Sequence, residues 1–361
     1  MILATKRFEI QALAAEALPD VAAFLAPRRS SDGVATLRHL TWLLLENPLA
    51  AAAPDHGLCI RSANGAVVGL LLAFPAAFRA GDRRLLGMGS GAYFVAPQAR
   101  TVGFHLFKRH LRSPGVAFFF STSCNAASGA LWTALDASMV AGADVECLLP
   151  LNPGAVLSAF VAGRTPGTLA TRAARLVGGC ARLLRPILLA AADVTTEPSR
   201  DWEKLAELAR RHRPPGCITS ERSAAFLQWR YAARAPGRRP DIGLFRDRRG
   251  NEGWFALGAV TRGHRVPLRG RVVLDATWPR DRVDFRTVLA AVARFAAADT
   301  DVVYFRPRPG IDTGDGRPWI IRRRREPPSA FAVAAKGQPP LEPTLDLVLA
   351  DGDGGISDTD L

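Results

Sequence analysis

The stretch Val95-Ala96-Pro97-Gln98-Ala99-Arg100-Thr101-Val102-Gly103-Phe104-His105-Leu106 contains the most informative change of pattern in the chain. It leaves a predicted strand, passes through a turn rich in Pro, Arg and Gly, and opens a predicted helix over Phe104 to Leu111. The backbone N–H groups and the positive dipole end of a helix start favour a bound anion. The stretch predicts a phosphate-sized anion site, although a glycine at such a turn also occurs in α/β folds without a ligand.

The charge of the surrounding segment favours the same ligand. From Arg83 to Leu135 there is no Asp or Glu, whereas six basic residues lie in this window: Arg83, Arg84, Arg100, Lys108, Arg109 and Arg112. A phosphate would meet only positive side chains there. The window offers no carboxylate as a general base, so the candidate bases are His105, His110, Asp136, Asp144 and Glu146. Each histidine fits an ordinary solvated helix face equally well.

Four of the quoted residues, Val95, Pro97, Arg100 and Gly103, resemble the signature V-x-P-x-x-[QR]-x-x-G-x-[GA] of the GNAT N-acetyltransferase superfamily. A second pattern of that family, N-x-x-[AS]-x-x-[LF]-Y, is similar to the sequence at Asn125, Ser128 and Leu131. The resemblance implies a mixed α/β fold and a site for the pyrophosphate of acetyl-CoA, or another acyl-CoA, as co-substrate. It implies cofactor contacts at Val95, Arg100, Thr101, Val102, Gly103, Phe104, His105 and Asn125.

Two residues depart from the family pattern. His105 replaces the last small residue of the phosphate loop and would crowd the approach of a ligand to the backbone. Trp132 stands where the family often has a tyrosine that protonates the leaving thiolate, and an indole N–H cannot deliver a proton at neutral pH. The catalytic residues are therefore unknown, with His105, Asp136 and Glu146 as candidates.

The order of predicted elements repeats along the chain. Residues 1–151 contain two helices, three strands and then helix, strand, helix and strand, with a hairpin at Asn64-Gly65. Residues 197–350 repeat the order helix, helix, three strands, helix and strand. The sequence predicts two tandem GNAT-like domains of mixed α/β class, joined by 152–196 and followed by a flexible acidic tail at 351–361.

The joining segment has an amphipathic pattern of its own. Between Thr171 and Ala192, arginines recur at spacings of three and seven beside leucines. This predicts a helix with a basic stripe. Such a helix would pack between the domains or, alternatively, touch an anionic membrane surface.

The second predicted domain lacks the phosphate-loop pattern. Its strand at Val272–Asp275 runs into Trp278-Pro279-Arg280 with no [QR]-x-x-G-x-[GA], so acyl-CoA binding in the family's way is not expected there. Arg306, Arg308 and the run Arg322–Arg325 predict a solvated basic face or a contact for an acidic sugar or RNA.

The composition fits a globular chain without a targeting segment. Of 361 residues, 48% are hydrophobic and 22% charged, which is enough apolar material for a large core. The net charge of +14 comes largely from arginine, since only four of the 47 basic residues are lysine, and biased composition explains it as well as an anionic partner does. The five scattered cysteines contain no C-x-x-C, which predicts free thiols in the cytoplasm and no metal site.

The resemblance implies transfer of an acyl group from acyl-CoA to an amine or hydroxyl of a small-molecule or sugar acceptor. The segment Phe226–Tyr231 also resembles one from tandem GNAT-like proteins of polysaccharide or cell-envelope biosynthesis. Two alternatives stay open. One is a non-catalytic GNAT-like binding or scaffold protein, favoured by His105 and Trp132. The other is a Fem-type transferase that uses aminoacyl-tRNA, which would explain the basic excess.

Overall fold

The structure, a computed structural model, describes residues 8–28, 32–53, 55–164, 193–232, 239–263, 266–296, 299–311, 320–341 and 344–352. Over these ranges the chain forms two mixed sheets with helices packed against them. The predicted amphipathic helix at 171–192 and most of the predicted tail lie outside the described residues.

The first half of the chain supplies most strands of the first sheet. Its elements are β1 (Phe8–Ala12), α1 (Leu18–Leu25), α2 (Gly33–Leu40), β2 (Gly57–Ser62), β3 (Val67–Ala80), β4 (Arg83–Val95), α3 (Arg100–His110), β5 (Phe118–Ser121), α4 (Ala126–Thr133), β6 (Ser138–Met139), β7 (Val145–Pro150) and α5 (Pro153–Arg164). The predicted hairpin joins β2 to β3, with Gly65 at a φ of +81°. The second of the two predicted helices is found as α2, which continues into a π-helical turn over Thr41–Leu45.

The second half begins with the same order, with an additional strand between its first two helices, and has no described helix equivalent to α4 or α5. Its elements are β8 (Val194–Pro198), α6 (Trp202–Arg211), β9 (Cys217–Ser220), α7 (Ala224–Tyr231), β10 (Asp241–Asp247), β11 (Glu252–Arg262), β12 (Leu268–Thr277), α8 (Phe285–Phe295), β13 (Val302–Phe305), β14 (Ile321–Arg324), β15 (Phe331–Ala334) and β16 (Thr344–Asp346). The helices and strands predicted from the sequence over this half are confirmed in type and order.

The two sheets share one topology. The first has the order β1-β2-β3-β4-β5-β15-β6, with β9 on β3 and β16 on β9, and the second has the order β14-β7-β13-β12-β11-β10-β8. In each, a long antiparallel pair, β3 with β4 or β11 with β12, is followed by one parallel pair, β4 with β5 or β12 with β13. Both long pairs also carry a bulge, which adds an unpaired residue to one strand.

The halves exchange strands: the first half gives β7 to the second sheet, and the second half gives β9, β15 and β16 to the first sheet. β7 pairs with β13 in the second sheet, where Leu149 lies opposite Val303. β15 pairs with β5 in the first sheet, where Phe331 lies opposite Ser121. A division at residue 151 therefore cuts across the sheets, because β7 precedes it and β15 follows it. Backbone hydrogen bonds of the exchanged strands tie the halves together.

A reciprocal pair of tryptophans also joins the halves. Trp42, just after α2, and Trp229, in α7, stack with ring centroids 4.9 Å apart. The indole N–H of Trp42 donates to the carbonyl oxygen of Trp229 at 3.1 Å, and that of Trp229 donates to the carbonyl oxygen of Trp42 at 2.9 Å. Equivalent residues that contact each other reciprocally are the signature of a twofold relation between two copies of one unit.

Trp229→Ala is expected to lower the free energy of unfolding by about 3 to 5 kcal/mol, because it removes a buried indole and its stacking contact with Trp42. Trp229→Phe keeps a ring and loses one buried hydrogen bond, which costs about 1 kcal/mol. Urea unfolding followed by circular dichroism measures both. If neither midpoint moves, the tryptophan pair does not hold the halves together.

Glycines on β4 leave space for a wall of aromatic rings. A Cβ on Gly87 would lie 2.7 Å from the Phe78 ring, and one on Gly89 would overlap the Phe74 ring. Phe78 packs edge-on against Phe118 of β5, with ring centroids 4.8 Å apart. Phe74 packs likewise against Phe120. These rings fill the core beneath the paired part of β4 and β5.

Cys59, Cys124, Cys147 and Cys217 are free, which confirms the predicted free thiols at these positions, whereas Cys180 lies outside the described residues. Burial raises the pKa of the Cys147 thiol to about 11.

Among the described residues, none of the helices is both long enough and apolar enough to span a bilayer, and no cluster of three or more His, Cys, Asp or Glu side chains is arranged to bind a metal.

Candidate functional site

A crevice opens where β4 and β5 separate. The two strands pair in parallel only over Gly87–Gly89 and Phe118–Phe120, although β4 continues to Val95. Within the described chain, no strand pairs with this edge of β4 beyond Gly89. The bulge follows at once, with Ala92 at a φ of +45°. We call this gap, bounded by the end of β4, the end of β5 and the start of α3, the first crevice.

The start of α3 lies at the open end of the first crevice. A 3₁₀ turn over Pro97–Ala99 leads into the helix at Arg100. Ala99, the N-cap residue, makes no side-chain capping bond, and the first turn contains no acidic residue. Arg100 and Thr101 are exposed there. An uncapped helix start beside an exposed arginine suits a phosphate group.

Gly103 has a different place from the one that the sequence predicts. α3 begins at Arg100, so the expected start at Phe104 is wrong, and Gly103 is a buried residue within the first full turn. A Cβ there would lie 2.7 Å from Tyr93 Oη and 3.0 Å from Val95 Cγ2. Gly103 thus allows α3 to pack closely on β4, and Arg100 and Thr101 are the residues at the exposed helix start.

The remaining predicted cofactor residues divide between the surface and a helix cap. Phe104 and His105 are exposed on α3, with the Lys108 ammonium 5.0 Å from the centre of the Phe104 ring. Val102 is half-buried. Asn125 is the N-cap of α4, where its side-chain oxygen accepts hydrogen bonds from the N–H groups of residues 127 and 128 at 3.1 and 3.0 Å. This capping pattern explains the spacing of Asn125 and Ser128 without a ligand.

Trp132 lies in the hydrophobic core. Its side chain is 1% exposed, and its ring packs edge-on against Phe107 of α3 with centroids 5.0 Å apart. A residue enclosed in this way cannot reach a thiolate in the first crevice. The position at which the resemblance implies a proton donor therefore serves packing in this chain.

The three candidate bases lie on separate elements. His105 is on the exposed face of α3, and Asp136 is exposed in the turn after α4. Glu146 lies on β7, in the second sheet, where its Oε1 accepts a hydrogen bond from Arg262 Nη1 at 2.7 Å. These three residues share no hydrogen bond or ion pair with one another. The structure thus forms no catalytic cluster from them.

His110 makes a buried contact that the sequence pattern did not predict. Its Nε2 lies 2.7 Å from the Oγ of Ser90, on β4, and both side chains are buried. Burial lowers the pKa of His110 to about 3, so the ring is neutral at physiological pH. An enclosed, weakly basic imidazole is unsuited to accept a proton from an external amine. The pair fastens α3 to β4 next to the first crevice.

Side chains of the chain itself occupy most of the corresponding gap in the second sheet and leave a cavity of about 30 Å³ there. β12 and β13 pair in parallel only over Gly270–Val272 and Val302–Tyr304, and the gap beyond these pairs is the second crevice. Inside it, Arg222 Nε donates to the buried carboxylate of Asp275. Tyr231 Oη donates to the same carboxylate at 3.2 Å.

Asp346, at the end of β16, forms a second group of ion pairs in this crevice. It accepts from Arg308 Nε at 3.0 Å and Nη2 at 2.8 Å, and from Arg280 Nη2 at 2.8 Å. Burial alone would raise the pKa of Asp346, but the two guanidinium groups outweigh burial and lower it. Arg308 also donates to the carbonyl oxygen of Ala276 on β12. The predicted solvated basic face at Arg306 and Arg308 is therefore wrong, since both residues make internal bonds across the second crevice.

The helix beside the second crevice is closed to anions. Asp284 is the N-cap of α8, and its carboxylate accepts a hydrogen bond from the N–H of Thr287 at 2.7 Å. A carboxylate thus occupies the position that α3 leaves open. Of the two equivalent crevices, the first one has the helix start without a side-chain cap that suits a phosphate group.

The described architecture matches solved structures of low sequence identity. A conserved protein of unknown function from Enterococcus faecalis V583, described as a probable N-acyltransferase, is 10% identical with a TM-score of 0.57 over 91% of this chain and 72% of that one. A GCN5-related N-acetyltransferase from Anabaena variabilis ATCC 29413 is 13% identical, with a TM-score of 0.55 over 90% and 72%. The chain has the GNAT fold.

A third GNAT-fold structure gives the same result. It is a GCN5-related N-acetyltransferase from Kribbella flavida, 14% identical, with a TM-score of 0.51 over 90% of this chain and 70% of that one. No protein-family model and no curated protein matches the sequence. The predicted fold class and the GNAT resemblance are confirmed, and at these identities the likeness is one of fold.

Proposed function

We propose that this GNAT-fold chain is an acyl-CoA-dependent N- or O-acyltransferase that binds its acyl-CoA in the first crevice. The observation that carries the proposal is the contrast between two gaps of one topology. The first has an unpaired edge of β4 beside an uncapped helix. The second is filled by Asp346 and its arginines and lies beside a helix capped by Asp284. A site for a polyanionic ligand therefore fits the first crevice, whereas in the second a carboxylate already pairs with the arginines and only about 30 Å³ of space is left.

The residues of the first crevice suit the parts of an acyl-CoA. The start of α3 would hold the pyrophosphate by its positive dipole end and the exposed Arg100 side chain, while the Arg100 N–H itself donates to the carbonyl oxygen of Pro97. The free edge of β4 would bind the extended pantetheine arm through backbone groups. The acceptor's amine or hydroxyl then attacks the thioester carbonyl, its proton leaves to solvent or a base, and the CoA thiol is released. Positioning of the two reactants supplies the rate in this scheme.

The acyl group in this proposal is short. The aromatic rings of Phe74, Phe78, Phe118 and Phe120 fill the core where β4 and β5 come together, and each is at most 3% exposed. A long acyl chain directed toward that point would have to displace tightly packed rings. This favours acetyl-CoA as the co-substrate.

The acceptor is proposed only as a class, a small molecule or sugar with an amine or hydroxyl. The segment that resembles cell-envelope proteins, Phe226–Tyr231, packs in the core, with Phe226, Trp229 and Tyr231 buried. Its side chains are occupied in holding the fold together. This segment therefore supports no particular acceptor or pathway.

Arg100→Glu is expected to weaken CoA binding at least tenfold, because it places a negative charge at the helix start that would hold the pyrophosphate. A lost charge-assisted hydrogen bond alone is worth about 1.5 to 3 kcal/mol, and 1.4 kcal/mol corresponds to a factor of ten. The fold should remain, since Arg100 is exposed and Glu suits the first turn of a helix. Isothermal titration with CoA measures the affinity.

Lys108→Glu is the matched control, because it makes the same change of charge on the exposed face of the same helix, about 12 Å along its axis. It should change the affinity for CoA by less than threefold. Equal weakening by both variants would mean that overall charge, and not the start of α3, governs binding. No saturable binding by the parent protein would contradict the proposal.

A protein that binds acyl-CoA without transferring the acyl group is the second candidate, because Trp132 is enclosed where a proton donor is implied. Release of the CoA thiol separates the two. The transferase reading expects thiol release from acetyl-CoA to rise with at least one acceptor among aliphatic amines, amino sugars and peptide N-termini. Tight CoA binding with no such rise favours the binding protein.

A further inference from the structure

A small cavity lies at the point where β12 and β13 separate. It has a volume of about 20 Å³, and its walls include Val272 and Tyr304, the last parallel pair of those strands. Its other walls come from Glu146 on the exchanged strand β7, from Arg306 after β13, and from Ser329, just before the exchanged strand β15. The cavity thus sits where the crossing strands of the two halves meet.

The polar atoms around this cavity are mostly unpaired donors. Arg262, at the end of β11, donates to Glu146 through Nη1, but its Nε and Nη2 are buried without a hydrogen-bond partner among the described residues. Arg306 donates to the carbonyl oxygen of Leu347, and its Nη1 is also buried without a partner. Buried N–H groups of charged side chains are costly to leave unsatisfied.

The charges around the cavity are unbalanced as well. Three guanidinium groups, those of Arg262, Arg306 and Arg325, line it, against the one carboxylate of Glu146. Burial lowers the pKa of Arg306 to about 10, which leaves it charged at neutral pH. Asp346 and Asp351 offset part of the Arg306 charge, and Arg262 stacks 4.0 Å over the Tyr304 ring, but neither contact gives the unpaired N–H groups an acceptor, which a bound anion would supply.

The size and chemistry of the cavity select the ion. Space of about 20 Å³ holds one particle of the size of a water molecule, which favours a single small ion over phosphate or sulfate. A water molecule accepts only two hydrogen bonds and supplies no charge, whereas a halide accepts several N–H donors at once. We propose that a chloride-sized monovalent anion binds between Arg262 and Arg306 and helps to hold the exchanged strands together.

Bromide replaces chloride and scatters X-rays anomalously, so it tests the site directly on the unmodified chain. Crystals soaked in sodium bromide should show an anomalous peak within hydrogen-bond distance of the Arg262 and Arg306 guanidinium groups. A peak there supports the proposal. No anomalous density in the cavity, or a single water molecule alone, overturns it.

Thermal unfolding gives a second readout in solution. The parent's Tm should be about 2 to 5 °C higher in 0.2 M sodium chloride than in sodium gluconate of the same ionic strength, because the anion binds the folded state. Arg306→Met should lose this chloride-specific increment. Arg282→Met is the control, since Arg282 is exposed and lies away from the cavity lining, and it should keep the full increment. An equal increment in both variants overturns the site. If Arg306→Met does not fold, the bromide peak decides.

Discussion

Asp346→Asn should lower the free energy of unfolding by about 3 to 5 kcal/mol, the usual cost of removing one partner from a buried ion pair. The carboxylate is fully buried and accepts three hydrogen bonds, two from Arg308 and one from Arg280. The asparagine amide is neutral, and its NH₂ group would face the N–H donors of the arginines. Two guanidinium groups would remain in the second crevice without their counter-charge. Urea unfolding of the parent and the variant measures the difference.

An exposed aspartate provides the control. Asp281 pairs with Arg282 at 3.5 Å on the surface, and such pairs contribute about 0 to 1 kcal/mol, so Asp281→Asn should change stability little. If Asp346→Asn were no more destabilising than Asp281→Asn, the arginines of the second crevice would not depend on Asp346.

The same carboxylate predicts an acid-sensitive component of stability. The pKa of Asp346 is lower in the folded chain than its ordinary value of 3.8, so its contribution is fully present above that value and is lost as the pH falls through the lower folded-state value. Stability measured from pH 5 down to pH 2 should therefore fall more steeply in the parent than in Asp346→Asn. Parallel curves would show that other groups cause the acid unfolding.

Gly103→Glu should lower the free energy of unfolding by at least about 3 kcal/mol. Because α3 packs closely on β4 at this residue, we expect the variant not to fold stably. Its Cβ would overlap Tyr93 and Val95, and its carboxylate would enter the buried contact between α3 and β4. From the sequence alone, this residue is expected at an exposed helix start, where Glu would spare the fold and weaken only CoA binding. The burial of Gly103 reverses that expectation.

Arg100→Glu provides the comparison for this result, because it introduces the same side chain three residues earlier at an exposed position. Its free energy of unfolding, measured in urea, should stay within about 0.5 kcal/mol of the parent's. A Gly103→Glu variant as stable as Arg100→Glu would contradict the close packing of α3 on β4.

The sequence predicts well what depends on neighbouring residues. Apolar periodicity and turn chemistry place the hairpin at Asn64-Gly65, the strands β10 to β13 and α1 at Leu18–Leu25. The signature at Val95–Gly103 identifies the turn at which the first crevice opens. The repeated order of elements predicts the repeated topology. Each of these signals lies within a short window of sequence.

The features missed from the sequence depend on contacts between distant residues. The exchange of β7 and β15 cannot be recognised from local sequence, because each strand would have the same residue pattern in either sheet. Asp346 follows an apolar pattern typical of a strand, and only its pairing with Arg280 and Arg308 shows that it fills the second crevice. Conversely, the position of Trp132 in the family pattern predicts a site residue, whereas the structure buries its side chain in the core.

Hydrogen exchange of the unmodified protein, measured by mass spectrometry with and without saturating CoA, tests the central claim most directly. Binding in the first crevice should slow the exchange of backbone amides at the end of β4 and the start of α3, residues 90–104. The equivalent segment of the second half, residues 273–286, should be unchanged, because Asp346 and Asp284 already occupy that crevice. Protection of 273–286 in place of 90–104, or no protection anywhere at millimolar CoA, would contradict an acyl-CoA site in the first crevice.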